Sequence, residues 1–346
     1  MERLGLLALL ALGGQGILLA KTAAASSTGD EEKQVLAASQ NLIVGYEKEL
    51  KTAETLQDRG VVSNDEVDMY KLQIASAKHY LAAHQKKPDV ARDQSREIVE
   101  IRARQLDREL KLSNMSGTTE TELDAVKRNL AVARFWLAVD EEKTDAAVRH
   151  LKLVVEICER EHKRELSKLS RGLVAENSVK IVEYHLAMAH YYLAKIQEQK
   201  AEAVRHLKTV VGICEAWLEQ ERSLARQNIG SEESMDDVMI SLLWAKHRLA
   251  VEEGKPELVK EHLGRLVSLR ERLLRSDTWR DPHEKAAMQW LLAFERFRLA
   301  QASVGINVEF CLNWELETPK SQDSIDSLLL ESVMRRNCST HRSRHR

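Results

Sequence analysis

His150, His206 and His262 recur at intervals of 56 residues. Imidazole is the commonest metal ligand and the one side chain that ordinarily titrates near neutral pH. A shared ion would need its nitrogen ligands at about 2.0–2.1 Å. Side chains that recur once per structural unit stand too far apart for that, so the three histidines read as solvated or interfacial helix residues. His79 and His84, like His185 and His190, are five apart and point to different helix faces. The chain has no HExxH, CxxC or GxSxG motif and no phosphate-binding glycine loop. The carboxylate pairs Glu141-Glu142 and Glu252-Glu253 adjoin helix ends and read as solvated charges. These patterns assign no catalytic residue, metal ligand or cofactor, and the expected class is not an enzyme.

The candidate site is instead a pair of adjacent positions. His79-Tyr80, Phe135-Trp136, Tyr191-Tyr192 and His247-Arg248 fill one slot in four successive copies. Core packing is one reading. The other is an exposed aromatic strip for protein recognition, where large rings supply contact area. Arg248 hints that side chains in this slot can reach water.

These slots exist because the chain repeats. Leu130–Ala138 (LAVARFWLA), Leu186–Ala194 (LAMAHYYLA) and Leu242–Ala250 (LLWAKHRLA) follow a first copy at Ile74–Ala82, each 56 residues after the last. A fixed period of this size signals stacked supersecondary units. Apolar residues at steps of three and four (Val67, Tyr70, Ile74, Ala77, Leu81) mark a first helix in each unit. Ser63-x-x-Glu66 and Thr119-x-x-Glu122 are capping boxes at its start, and Ala175 breaks the series. A second helix begins at Pro88 and Pro256, a position where the missing N–H costs nothing. Alanines at 77, 133, 189 and 245, and at 82, 138, 194 and 250, predict close helix crossings.

The predicted fold is therefore all-α: tandem antiparallel helical hairpins, an α-solenoid-like array of about ten helices. Its expected divisions are a half-unit at 26–60, units at 61–116, 117–172, 173–228 and 229–281, and a half-unit at 282–302. The half-units are expected to cap the two ends. Residues 303–346 read as a tail, partly disordered.

Charged residues make up 31% and aromatics 5% of the 346 residues, with four prolines, a balance that favours long helices. The formal net charge of −2 gives no electrostatic reason to expect nucleic acid. Arg3, the apolar stretch Leu4–Ala20 and Ala23-Ala24-Ala25 read as a signal peptide, residues 1–25, cut before Ser26. The alternative is an uncleaved membrane anchor, and the expected location is periplasmic or secreted. Cys158 and Cys214 share a slot, and equivalent positions in stacked helices lie about 10 Å apart. A disulfide wants its Cα atoms within about 7 Å, so both read as small apolar packing residues. Cys311 and Cys338 in the tail could pair or stay free.

The hairpin turns Leu56–Asp68 and Leu169–Glu176 (Gly60-Val61-Val62-Ser63; Gly172-Leu173-Val174-Ala175) resemble the hairpin tip of periplasmic adaptor (membrane-fusion) proteins. That resemblance implies exported coiled-coil hairpins that dock end-on to an outer-membrane channel. The chain departs from that family in having four tandem hairpins and no flanking β-type alternation. Its architecture is also similar to tetratricopeptide-type arrays, whose unit is shorter. The expected function is an exported, non-catalytic scaffold for protein–protein interaction in the cell envelope, its partner a protein. The alternative is a hairpin component of an efflux or secretion assembly.

Overall fold

The computed structural model describes residues 24–115, 119–227, 232–275 and 282–303. Residues 1–23 of the expected signal peptide, the expected tail beyond Ser303, Cys311 and Cys338 lie outside the described residues, and Ala24 and Ala25 fall in the first helix. Among the described residues ten helices follow one another: α1 (Ala24–Gln57), α2 (Asn64–His84), α3 (Pro88–Asn114), α4 (Glu120–Asp140), α5 (Thr144–Ser170), α6 (Glu176–Ile196), α7 (Lys200–Arg226), α8 (Glu232–Glu252), α9 (Pro256–Arg275) and α10 (Pro282–Ser303). No strand occurs among the described residues.

The helix starts follow local chemistry. Ser63 and Thr119 each accept from the backbone N–H three residues on, and Glu66 and Glu122 reach back to complete both capping boxes. Ala175 makes no such bond at the start of α6. The helix ends are equally regular. Lys86, Glu142, Glu198 and Gly254 occupy one slot, with φ of 56°, 57°, 59° and 68°. The next residue closes each turn by donating to the alanine carbonyl five back: Lys87 to Ala82 (2.9 Å), Lys143 to Ala138 (2.7 Å), Gln199 to Ala194 (2.8 Å) and Lys255 to Ala250 (2.8 Å). This is the Schellman stop, which favours glycine at the left-handed residue. No atom lies within 4 Å of a Cβ built on Gly254, so a side chain there has only its backbone conformation to strain. Glu142→Gly should therefore stabilise the chain by about 1 kcal/mol and Gly254→Ala destabilise it by a similar amount. Urea midpoints check this; shifts of the same sign would refute the left-handed account.

The helices form two layers. The even-numbered helices α2, α4 and α6 are 21 residues long and buried on most sides: α4 buries Asp124, Arg128, Val132, Phe135 and Trp136 among others. The odd-numbered α3, α5 and α7 are 27 residues long. Each buries mainly one stripe, as in Ala147, Leu151, Val154, Cys158 and Glu161 of α5. The alanine slots are interior, with Ala77, Ala133, Ala189 and Ala245 at 2%, 5%, 0% and 3% exposure. Cys158 and Cys214 are buried and not joined in a disulfide, and burial pushes the Cys158 thiol up to about 11.

The terminal half-units do not cap an open array. Each helix packs against its chain neighbours, and α1 packs against α10. Helix α1 has the register of a second helix and α10 that of a first, so together they make a fifth unit. The array closes into a ring of five units. Trp290 of α10, 1% exposed, donates its indole N–H to Ser39 of α1 at 2.9 Å across this seam. An ion pair also recurs between inner and preceding outer helices: Lys78–Glu47 (2.8 Å), Lys246–Glu215 (2.7 Å) and Arg296–Glu271 (2.7 Å). Exposed pairs of this kind are worth about 0–1 kcal/mol each, so they follow the architecture more than they hold it.

Candidate functional site

Closure of the ring turns the predicted aromatic slot inward. Tyr80, Phe135, Tyr191, Tyr192 and His247 are each 2–3% exposed, and Trp136 and Arg248 reach only 9%. The His79 side chain is 13% exposed. The exposed-strip reading is thus corrected: these side chains are the contacts that join one inner helix to the next. An inner helix can use this face for nothing else, because its other sides meet the outer helices.

Every neighbouring pair of inner helices is bridged there. Between α2 and α4, His79 Nε2 lies 3.0 Å from Asp140 Oδ2. Between α4 and α6, Trp136 meets Tyr192 edge to face at 5.8 Å. Between α6 and α8, Arg248 donates to the Tyr192 hydroxyl at 2.6 Å, and Tyr191 donates to Glu252 at 3.1 Å. Between α8 and α10, Arg298 donates to His247 Nε2 at 2.9 Å and lies 5.1 Å over the Trp244 ring. Between α10 and α2, Tyr80 meets Trp290 edge to face at 4.8 Å. Aromatic and cation–π contacts of this geometry contribute about 0.5–2 kcal/mol each beyond area burial.

Two groups in the belt are held neutral. Burial lifts Tyr80 well above its ordinary value, with the Arg298 charge opposing. Burial, then the charges of Arg298 and Arg248, drive His247 well below its ordinary range. Arg298 can therefore donate to an imidazole that stays unprotonated.

His79, Ser95 and Asp140 come together, but in an order unsuited to nucleophilic catalysis. Both His79 and the Ser95 hydroxyl bond the same Asp140 oxygen, so the serine proton faces a carboxylate and not the imidazole. A nucleophile–base pair needs the hydroxyl on the imidazole. The carboxylate pairs at the links are engaged too. Glu141 meets Lys143 and Arg96, and Glu253 meets Lys255 and Lys208. Their lysine and arginine partners hold both carboxyls below the ordinary range, Lys143 leading for Glu141 and Lys255 for Glu253.

The three histidines of the 56-residue series sit on α5, α7 and α9, each beside a base of an inner helix. Burial and then Arg134 lower His150, and burial lowers His262 with Lys246 adding to it. His206 stacks on His190 at 5.0 Å and 12°. No three His, Cys, Asp or Glu side chains converge on a metal position among the described residues.

Sequence reasoning missed a second set of interior groups, the buried ion pairs. Arg128 of α4 bonds Glu161 of α5, and Arg270 of α9 bonds Glu295 of α10 at 2.6 Å, with Arg270 and Glu295 both at 0% exposure. The slots carried a signal. Arg128 replaces Leu72, Tyr184 and Ile240, and Glu295 stands where the other units keep alanine. A charged side chain is rarely buried without an opposite partner, so a charge in an otherwise apolar or small slot points to one on the facing helix.

Beside Arg128 lies His185 of α6, whose pKa burial lowers to about 3, helped by the Arg128 charge. The unfolded imidazole titrates near its ordinary 6.5. The unfolded chain therefore binds more protons between these values, and stability present above about pH 6.5 is lost as pH falls toward 3. The full difference is on the order of 4–5 kcal/mol. His185→Gln, copying Gln73 from the same slot, should flatten the loss of urea midpoint from pH 7 to pH 4. An unchanged slope would show that His185 is not the group being titrated.

No family model matches this chain, and no curated protein is similar to it. No helix among the described residues is long and apolar enough to cross a membrane.

Proposed function

We propose that this chain is an exported, non-catalytic helical-repeat scaffold for protein–protein contact in the cell envelope. One observation carries the reading. Val61, Met115 and Leu173, in the first three turns from an outer helix to the next inner helix, are 69%, 79% and 65% exposed. Such turns all lie at one end of the ring, because the helices alternate in direction. The inner belt is consumed by packing, so this rim takes over the role expected of the aromatic slot. Single exposed apolar side chains are ordinary; here Val61 and Leu173 share one slot and Met115 lies two positions before it, which puts three on one rim and supports a contact surface for a protein partner.

The alternative, a hairpin component of an efflux or secretion assembly, would use the same rim for end-on docking, and the shared direction of the turns favours keeping it. Pull-down from envelope membranes with the wild-type chain and a Val61→Ser/Met115→Ser/Leu173→Ser variant tests both. Loss of specific partners from the variant is expected. Identical captures would remove the rim from the account, and recovery of channel or pump subunits would favour the alternative.

A further inference from the structure

We propose that the α4–α5–α6 junction binds one ordered water, which accepts from Nε and Nη2 of Arg128 and donates to Nδ1 of His185. The argument begins with the guanidinium. Arg128 is 0% exposed and spends Nη1 on Glu161; the Cys158 thiol lies beside the guanidinium, but Nε and Nη2 meet no protein oxygen or nitrogen acceptor. Those two atoms form the side-on fork of arginine, which presents parallel N–H groups to a single small acceptor or a planar oxyanion. His185, 5% exposed and close enough to feel the Arg128 charge, leaves Nδ1 without a hydrogen-bond donor. Buried polar atoms in native proteins are satisfied by protein or by bound solvent.

Charge selects water over an anion. Arg128 and Glu161 already balance one another, so an added anion would leave net negative charge in a closed, low-dielectric site. Neutralising it would require a proton on His185, which burial disfavours. A water using both lone pairs on the fork still has two hydrogens to give, and an unprotonated Nδ1 takes one.

The repeat supplies an internal comparison. One slot holds Leu72, Arg128, Tyr184 and Ile240, a second holds Gln105, Glu161, Trp217 and Leu273, and a third holds Gln73, Asn129, His185, Ser241 and Leu291. The α8–α9–α10 junction accordingly has Ile240, Leu273 and Leu291 where α4–α5–α6 has Arg128, Glu161 and His185. The polar set is replaced as a whole, as expected if the three residues share one hydrated site. Asn129 Oδ1 and Gln73 Oε1, in the His185 slot of the two preceding units, are also buried without a donor.

A crystal structure of the full chain, grown in chloride and again with bromide, tests the proposal. The expected result is a solvent peak at about 2.7–3.2 Å from both fork nitrogens and from Nδ1. It should carry no bromide anomalous signal, and the Ile240–Leu291 junction should be dry. A bromide peak at the fork would make this an anion site and overturn the proposal, as would a fork closed on a protein acceptor. In solution, ¹⁵N shifts of the wild-type imidazoles provide an independent check. His185 should be the Nε2–H tautomer at neutral pH, and a proton on Nδ1 would overturn the bridge.

Discussion

Replacing Glu161 alone with leucine should cost about 3–5 kcal/mol, and replacing Arg128 with leucine as well should recover most or all of it. Arg128 is 0% exposed and its partner's side chain 7%, so the single change strands a guanidinium without its counter-charge where bulk solvent cannot reach it. Burial, ahead of the attraction to Arg128, holds the Glu161 carboxyl above its ordinary range. Desolvation therefore already outweighs the attraction for the acid. The double variant reproduces in character what the ring carries at Ile240 and Leu273. Urea midpoints of the two singles and the double decide it. If the double is as unstable as the single, then either the site cannot close around two leucines or the bound water is worth more than expected. A double more stable than wild type would leave the pair a role in register, fixing which outer helix follows α4.

Trp290→Ala should cost about 3–5 kcal/mol, as for a large side chain removed from a closed core. It should act on the seam before it acts anywhere else. Trp290 is 1% exposed, meets Tyr80 at 4.8 Å, stacks on Phe294 at 6.3 Å and bonds Ser39. Among the described residues, no covalent link joins α1 to α10 except the chain through the eight helices between them. Amide exchange in α1 and α10 should therefore rise together in the variant, while α5, α6 and α7 keep their protection. Exchange that rises in α10 alone would show that α1 does not depend on the seam, and the closed ring would be refuted.

Much of the unit was legible in the sequence, since local chemistry specifies it. The capping boxes at Ser63 and Thr119, the start at Pro88 and the burial of Cys158 and Cys214 without a disulfide follow from residues within a few positions of one another or from a constant slot. The aromatic slot was legible only as two alternatives. A ring of side chains such as Tyr192 looks the same in sequence whether it faces water or the next inner helix. Arg248, read as a hint of exposure, reaches a hydroxyl and a ring face instead of solvent, lying 5.5 Å over Tyr192.

The period of 56 residues determined by itself that this protein would be a set of equivalent helical hairpins, because helix length, caps and the apolar stripe are all set within one unit. Only the tertiary structure decided that the set closes. Closure depends on the rotation from each unit to the next, about 72° for five units in a circle, and that angle is the summed result of side-chain packing between helices. Trp290 and Ser39 stand 251 residues apart, and no local pattern announces their meeting. The histidines at 150, 206 and 262 thus remain separate residues on the outer layer. The interior belongs to the aromatic belt and to a few buried charges, among them Arg128 and Glu295, which stand in slots that hold no charge in the other copies.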